Sequence, residues 1–139
     1  MSSNTYSNTL RLVKQIIAQL SYMKNNTTQI ITVDKNKYSI DTRIASVKCT
    51  NDKGKEIQVI LPALHKGDKL IFVHETQNEY DKNTIKAICD YQCIGYIKSE
   101  LTEKIAPLMD YGRIPKGIIT EIIANKNDKS YDCKIHINI

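Results

Sequence analysis

Tyr80 and Asp81 stand side by side in the polar segment HETQNEYDKNTIK, residues 74–86, which separates two apolar runs. A tyrosine ring offers a flat face and a hydroxyl, and a carboxylate accepts hydrogen bonds, so the pair is equipped to hold a ligand. The same stretch also reads as plain turn chemistry. Asn78 and Asp81 are residues whose side chains bond nearby backbone, and Tyr80 could cover the end of a barrel. On residue chemistry alone the turn has the better claim, because Asn and Asp are so common in turns.

Other chemistry finds less footing. Cys49, Cys89, Cys93 and Cys133 together with His65, His74 and His136 raise the question of zinc. Cys89 and Cys93 straddle a predicted turn, while Cys133 and His136 would face opposite sides of a strand. Structural zinc uses tight Cys-x-x-Cys pairs on knuckles, so the cysteines read as reduced core residues, and neither a metal nor a cofactor is expected. No Gly-x-Ser-x-Gly, His-Glu-x-x-His or Gly-x-x-x-x-Gly-Lys occurs, and five scattered glycines cannot cradle a nucleotide. Glu79 and Asp81 could form an acid/base pair, but nothing else assembles around them. The expectation is a binding protein without catalysis.

Charge narrows the partner. The 139 residues carry a net +5, which invites a nucleic-acid reading. Of this, +3 lies on residues 1–41 and only +1 on residues 42–122. A protein that tracks along phosphates needs a basic stripe. A near-neutral centre implies local contact instead. No apolar run approaches the roughly 20 residues that span a bilayer, and the start MSSNTYSN lacks a secretory pattern. A cytoplasmic protein with no membrane partner is the expectation.

The elements that must position these residues follow from periodicity. Leu10, Val13, Ile16, Ile17, Leu20 and Met23 recur at helical spacing over residues 5–23, and Asn25-Asn26-Thr27-Thr28 ends that amphipathic helix. Its stripe would pack on its own domain or on a second chain. Residues 1–28 are read as helix and linker, and residues 29–139 as the domain. From residue 29 the period becomes two, with strands predicted at 30–33, 38–48, 56–61, 69–74, 84–89, 93–97, 118–124 and 131–139. Asn51-Asp52-Lys53-Gly54 and Asp90-Tyr91-Gln92 mark hairpin turns. A second helix is predicted over 99–111, with Ser99 as N-cap, Glu100 and Glu103 in its first turn, a kink or new turn at Pro107, and Gly112 as C-cap. Short strands with regular turn signals predict a small antiparallel β-barrel plus helices, mainly β in class.

Four pieces between Leu64 and Gly112 carry a family resemblance. They are His65-Lys66-Gly67-Asp68-Lys69-Leu70, Asn78-Glu79-Tyr80-Asp81-Lys82-Asn83-Thr84-Ile85-Lys86, Ile94-Gly95-Tyr96-Ile97, and the helix with Ile105-Ala106-Pro107-Leu108 and Tyr111-Gly112. In this order and spacing they resemble the HIRAN domain, the module at the front of helicase-like transcription factor and related remodellers and of small stand-alone bacterial proteins. A looser match runs upstream through Arg43-Ile44-Ala45-Ser46-Val47, and residues 1–35 lie outside it.

The resemblance implies an OB-like or SH3-like barrel of about six strands that binds single-stranded DNA at its 3′-hydroxyl end. Carried over, the site residues are Tyr80 and Asp81, Lys48 with its neighbours, and Tyr96 with Lys98 or Ser99. Tyr80 would stack on the terminal base. Asp81 would accept a hydrogen bond from the terminal hydroxyl and repel a phosphate in its place. Lys48, Lys82, Lys86 and Lys98 would meet the penultimate phosphates. Three features depart from the family: Glu79 replaces a proline, Cys49 and Thr50 replace aromatics, and Ser99 replaces a basic residue. The function so implied is recognition of DNA ends in repair or replication restart. The alternative is a protein-interaction adaptor working through the N-terminal helix, by a partner or by self-association, and a third reading is a nuclease accessory.

Overall fold

The computed structural model describes residues 9–18 and 37–139. The chain divides into two units, Met1–Asn36 and Lys37–Ile139, and each is described by itself. In the first unit residues 9–18 form helix α1, which carries Leu10, Val13, Ile16 and Ile17 of the expected stripe. Leu20, Met23, the Asn25–Thr28 stop and the strand at 30–33 lie outside the described residues.

The second unit is a six-stranded, wholly antiparallel sheet. Its strands are β1 (Ser39–Arg43), β2 (Lys69–His74), β3 (Ile85–Cys89), β4 (Gln92–Tyr96), β5 (Lys116–Ala124) and β6 (Tyr131–Asn138), in the order β1-β6-β5-β2-β3-β4. Period-two burial explains why these segments are strands. Leu70 and Phe72 in β2, Ile85, Ala87 and Cys89 in β3, and Cys133, Ile135 and Ile137 in β6 all point into one core. The sheet curls until its two edges meet. Ile44 N–H still donates to Cys133 O on β6 at 2.9 Å, but Ala45 N–H donates to Tyr96 O on β4 at 2.7 Å and Tyr96 N–H returns to Ala45 O at 3.0 Å. The mainly β, OB-like barrel class read from the sequence is the class observed.

Several details differ from expectation. The segment predicted as one strand from Tyr38 to Lys48 stops at Arg43, because the chain turns the barrel corner at Ile44–Ala45 and Ser46 adopts φ +63°. Residues 56–61 are not a returning strand. They form helix α2 (Ile57–Ile60) and a 3-10 turn (Leu61–Ala63). Ile57, Ile60 and Leu61 are buried at helical spacing while Val59 is 59% exposed, and so short a run, broken by Gln58, does not declare its own period. Gln58 ties α2 to the barrel: its Nε2 donates to Val47 O and Tyr131 O, and its Oε1 accepts from Tyr131 N–H.

Helix α3 (Ser99–Asp110) follows β4. Its N-cap position is Lys98 rather than Ser99, no side chain caps it, and Glu100 is the acid of its first turn. Pro107 does not divide the helix: in the final turn it forfeits one hydrogen bond, to the carbonyl four residues earlier. Gly112, at φ +91°, ends it as expected. Gly112 N–H donates to Met109 O and Arg113 N–H to Leu108 O, the paired bonds of a Schellman stop. Asp90 and Tyr91, at φ +51° and +64°, make the two-residue turn between β3 and β4.

Candidate functional site

The loop from Glu75 to Thr84 is closed at its base, where Glu75 N–H donates to Thr84 O at 2.8 Å. Two side chains brace it from within. Asn78 Oδ1 accepts from the N–H groups of Tyr80 (2.9 Å) and Asp81 (3.0 Å). Asp81 Oδ1 accepts from Asn83 N–H at 2.8 Å, and the Asp81 carbonyl accepts from Thr84 N–H and Oγ1. These are Asx turns, as residue chemistry alone suggested. They leave Tyr80 standing 97% exposed. Asp81 Oδ2 takes no hydrogen bond within the described residues.

A third tether was not visible in the sequence. His74, at the end of β2, has only 11% of its side chain exposed. Its Nε2 lies 2.6 Å from the Lys82 carbonyl and its Nδ1 lies 3.0 Å from Asp110 Oδ1 on α3. Asp110 is 36 residues away in sequence, and no local pattern announces the contact.

The second part of the candidate site is the junction of β4 and α3. Tyr96 is half-buried, faces Lys86 across the β3–β4 ladder and meets Ala45 at the barrel seam. Burial pushes its hydroxyl pKa above the ordinary tyrosine range. Ile97 N–H donates to Ile85 O at 3.0 Å, so the ladder runs on and brings Lys98 and Ser99 toward the start of β3, where the loop ends. Tyr80, Asp81 and Lys82 on the loop therefore share one end of the sheet with Tyr96, Lys98 and Ser99. Ser99 is exposed, and its carbonyl accepts from Thr102 Oγ1.

Gly95 makes this junction possible. At φ +138°, a Cβ there would overlap Ile44 Cγ2 and the Ala45 carbonyl. Only glycine admits the opposing backbone so closely.

The lysines do not all gather. Lys48 Nζ is 3.2 Å from Asp128 Oδ2 on the β5–β6 turn. The Asp128 carboxyl is held at about 2, first by the Ser130 hydroxyl and backbone and then by Lys48. Lys86 Nζ is 3.1 Å from Asp52 Oδ2, with its side chain 16% exposed. Their hydrogen bond raises the Lys86 pKa and lowers that of Asp52. Lys82 and Lys98 are exposed and, within the described residues, enter no ion pair. Two of the four lysines available by type are thus already neutralised locally.

Three of the four cysteines are packing residues in this geometry, and Cys49 is not the core residue expected. Cys89, Cys93 and Cys133 are buried and Cys49 is exposed, all as thiols. Burial pushes the thiol pKa of all three buried residues up, Cys133 to about 12. Among the described residues no three His, Cys, Asp or Glu side chains are placed to hold a metal, and no helix is long and apolar enough to cross a membrane.

Comparison with known proteins bears on the whole barrel. The HIRAN domain family matches residues 37–139. The fold is similar to the crystal structure of a protein from Lactobacillus plantarum, with TM-score 0.54 and 20% identity, covering 74% of this chain and 98% of that one. It is also similar to the HIRAN domain of human HLTF, with TM-score 0.54 and 18% identity, covering 72% of this chain and 73% of that one. No curated protein matches the sequence. The profile over residues 37–139 and the curled six-stranded sheet agree, and the chain belongs to the HIRAN domain family, a family of nucleic-acid-binding modules.

Proposed function

We propose that the barrel recognises the 3′-hydroxyl end of single-stranded DNA without catalysing a reaction on it. The observation that carries this reading is Tyr80, 97% exposed on a loop braced by its own side chains. A fully exposed ring on an ordered loop is a platform, and every base has a face to stack on it, worth about 1–3 kcal/mol. Asp81, beside it, has an oxygen available for the terminal hydroxyl. A carboxylate accepts from a hydroxyl and repels a phosphate, so it selects the unphosphorylated end. Lys82 and Lys98 meet the next phosphates, and Tyr96 with Ser99 lines the far wall. Lys48 joins only if a phosphate displaces Asp128. End recognition of this kind serves DNA repair or replication restart in the cytoplasm.

The test is fluorescence anisotropy with matched oligonucleotides ending in a 3′-hydroxyl or a 3′-phosphate. The hydroxyl end should bind about tenfold more tightly, the worth of one charge-assisted hydrogen bond. Asp81→Ala should abolish the difference, and Tyr80→Ala should weaken both ends by about tenfold or more. Equal binding of the two ends by the unaltered protein, unchanged in Asp81→Ala, defeats the reading.

A further inference from the structure

His74 touches two acceptors at once. The Lys82 carbonyl can only accept, so the contact at 2.6 Å requires a proton on Nε2. Asp110, 61% exposed on α3, lies 3.0 Å from Nδ1 at its Oδ1. One ring therefore joins the loop backbone to α3.

We propose that His74 is the positioning residue of the end-binding loop, its ring bridging the Lys82 carbonyl and Asp110 on α3. The inference rests on the proposed end-binding role of Tyr80 and Asp81, which lie two residues and one residue before the tethered carbonyl. The ring is enclosed on three sides. From α3 it meets Asp110. From the loop it meets the Lys82 carbonyl, with the charged Asp81 and Lys82 side chains in the same turn. From β3 it meets Ile85, its partner in register, while Lys86 is drawn to Asp52 instead. Removing the ring removes the tether, and DNA-end affinity falls with it.

The full chain, labelled with nitrogen-15, gives two readouts. Hydrogen-exchange protection factors of the Glu75 and Thr84 amides report the loop, with barrel amides such as Ile119 as the internal control. Anisotropy with a 5′-labelled single strand ending in a 3′-hydroxyl reports binding. In His74→Ala, loop protection and affinity should each fall about fivefold to tenfold, the worth of one hydrogen bond, while barrel protection holds. His74→Gln, whose amide N–H can still donate to the Lys82 carbonyl, should restore part of both. Asp110→Ala, which removes the anchor on α3, should lower both.

Unchanged loop protection in His74→Ala overturns the inference, as does Asp110→Ala matching the unaltered protein. Loop protection that falls in His74→Ala while affinity stays the same refutes the link to binding. If no oligonucleotide binds even the unaltered protein but loop protection still falls in His74→Ala, the tether stands and the end-binding reading falls.

Discussion

Gly95→Ala should open the barrel at its seam. Gly95 lies on β4 at φ +138°, against the corner where the chain passes from β6 to β4. An alanine Cβ there would overlap Ile44 Cγ2 and the Ala45 carbonyl oxygen. Side-chain overlap can be relieved by a rotamer change, but the carbonyl is backbone. Moving it breaks the two Ala45–Tyr96 hydrogen bonds that join the sheet edges at 2.7 and 3.0 Å. The strained dihedral costs about 1–3 kcal/mol and each lost hydrogen bond about 1 kcal/mol. Displacing buried Ile44 adds about 1 kcal/mol or more.

A loss of about 4–6 kcal/mol results, a large share of the roughly 5–15 kcal/mol that holds a domain folded. Urea unfolding followed by circular dichroism measures it, with Gly54→Ala as the control. Gly54 also has a positive φ, +78°, but nothing lies within 4 Å of its would-be Cβ, so only the dihedral cost of about 1–2 kcal/mol applies there. A Gly95→Ala loss no larger than that of Gly54→Ala, with the same m-value, refutes the argument that close backbone approach at the seam demands glycine.

Asn51 is buried; its Nδ2 donates to Cys93 O at 3.2 Å and its Oδ1 accepts from Lys53 and Lys55 N–H at 3.0 Å each. Asn51→Ala should cost about 2–4 kcal/mol in thermal or urea unfolding, since three backbone groups lose their partner. His136 has its pKa raised by the hydrogen bond to Asp41, so its contribution is complete below the ordinary histidine value and fades as pH climbs through the raised one. The melting temperature should drift down over that window, and Asp41→Asn should remove both the drift and the raised His136 titration seen by NMR. For DNA binding, two uncommitted lysines predict a shallow salt dependence, with log K against log salt near −1.4 for a single strand rather than the roughly −2.8 of four engaged lysines.

What the sequence made legible was whatever repeats locally. Alternating burial in β2, β3 and β6 and the turns at Asp90-Tyr91 and Gly112 all follow from neighbours within a few residues. The failures are non-local. The corner at Ile44–Ala45 depends on Gly95, about fifty residues on. The helix at Ile57–Ile60 owes its form to Gln58 reaching Tyr131. The same holds at the candidate site. The signature picked out Tyr80 and Asp81, but no spacing links His74 to Asp110, Lys48 to Asp128 or Lys86 to Asp52. Counting lysines by type overstated the charge available to a phosphate.

Turn chemistry at Tyr80-Asp81 is compatible with the proposed binding site once the loop's hydrogen bonds are traced. The bonds that make the segment a turn are those that hold Tyr80 out in solvent. Glu79 stands where the family carries a proline, and a proline would fix one φ and lower the entropy of the free loop. Here Asn78 Oδ1 spans that position, taking the N–H groups of the two residues that follow it, while Asp81 Oδ1 fixes Asn83. Side-chain hydrogen bonds supply order that the ring would have supplied. A loop ordered before binding spares the ligand the cost of ordering it, about 0.5–1.5 kcal/mol for each flexible side chain immobilised. In the proposed end-binding role, stacking on Tyr80 would then contribute to affinity in full, and a nearly neutral domain would need no basic stripe.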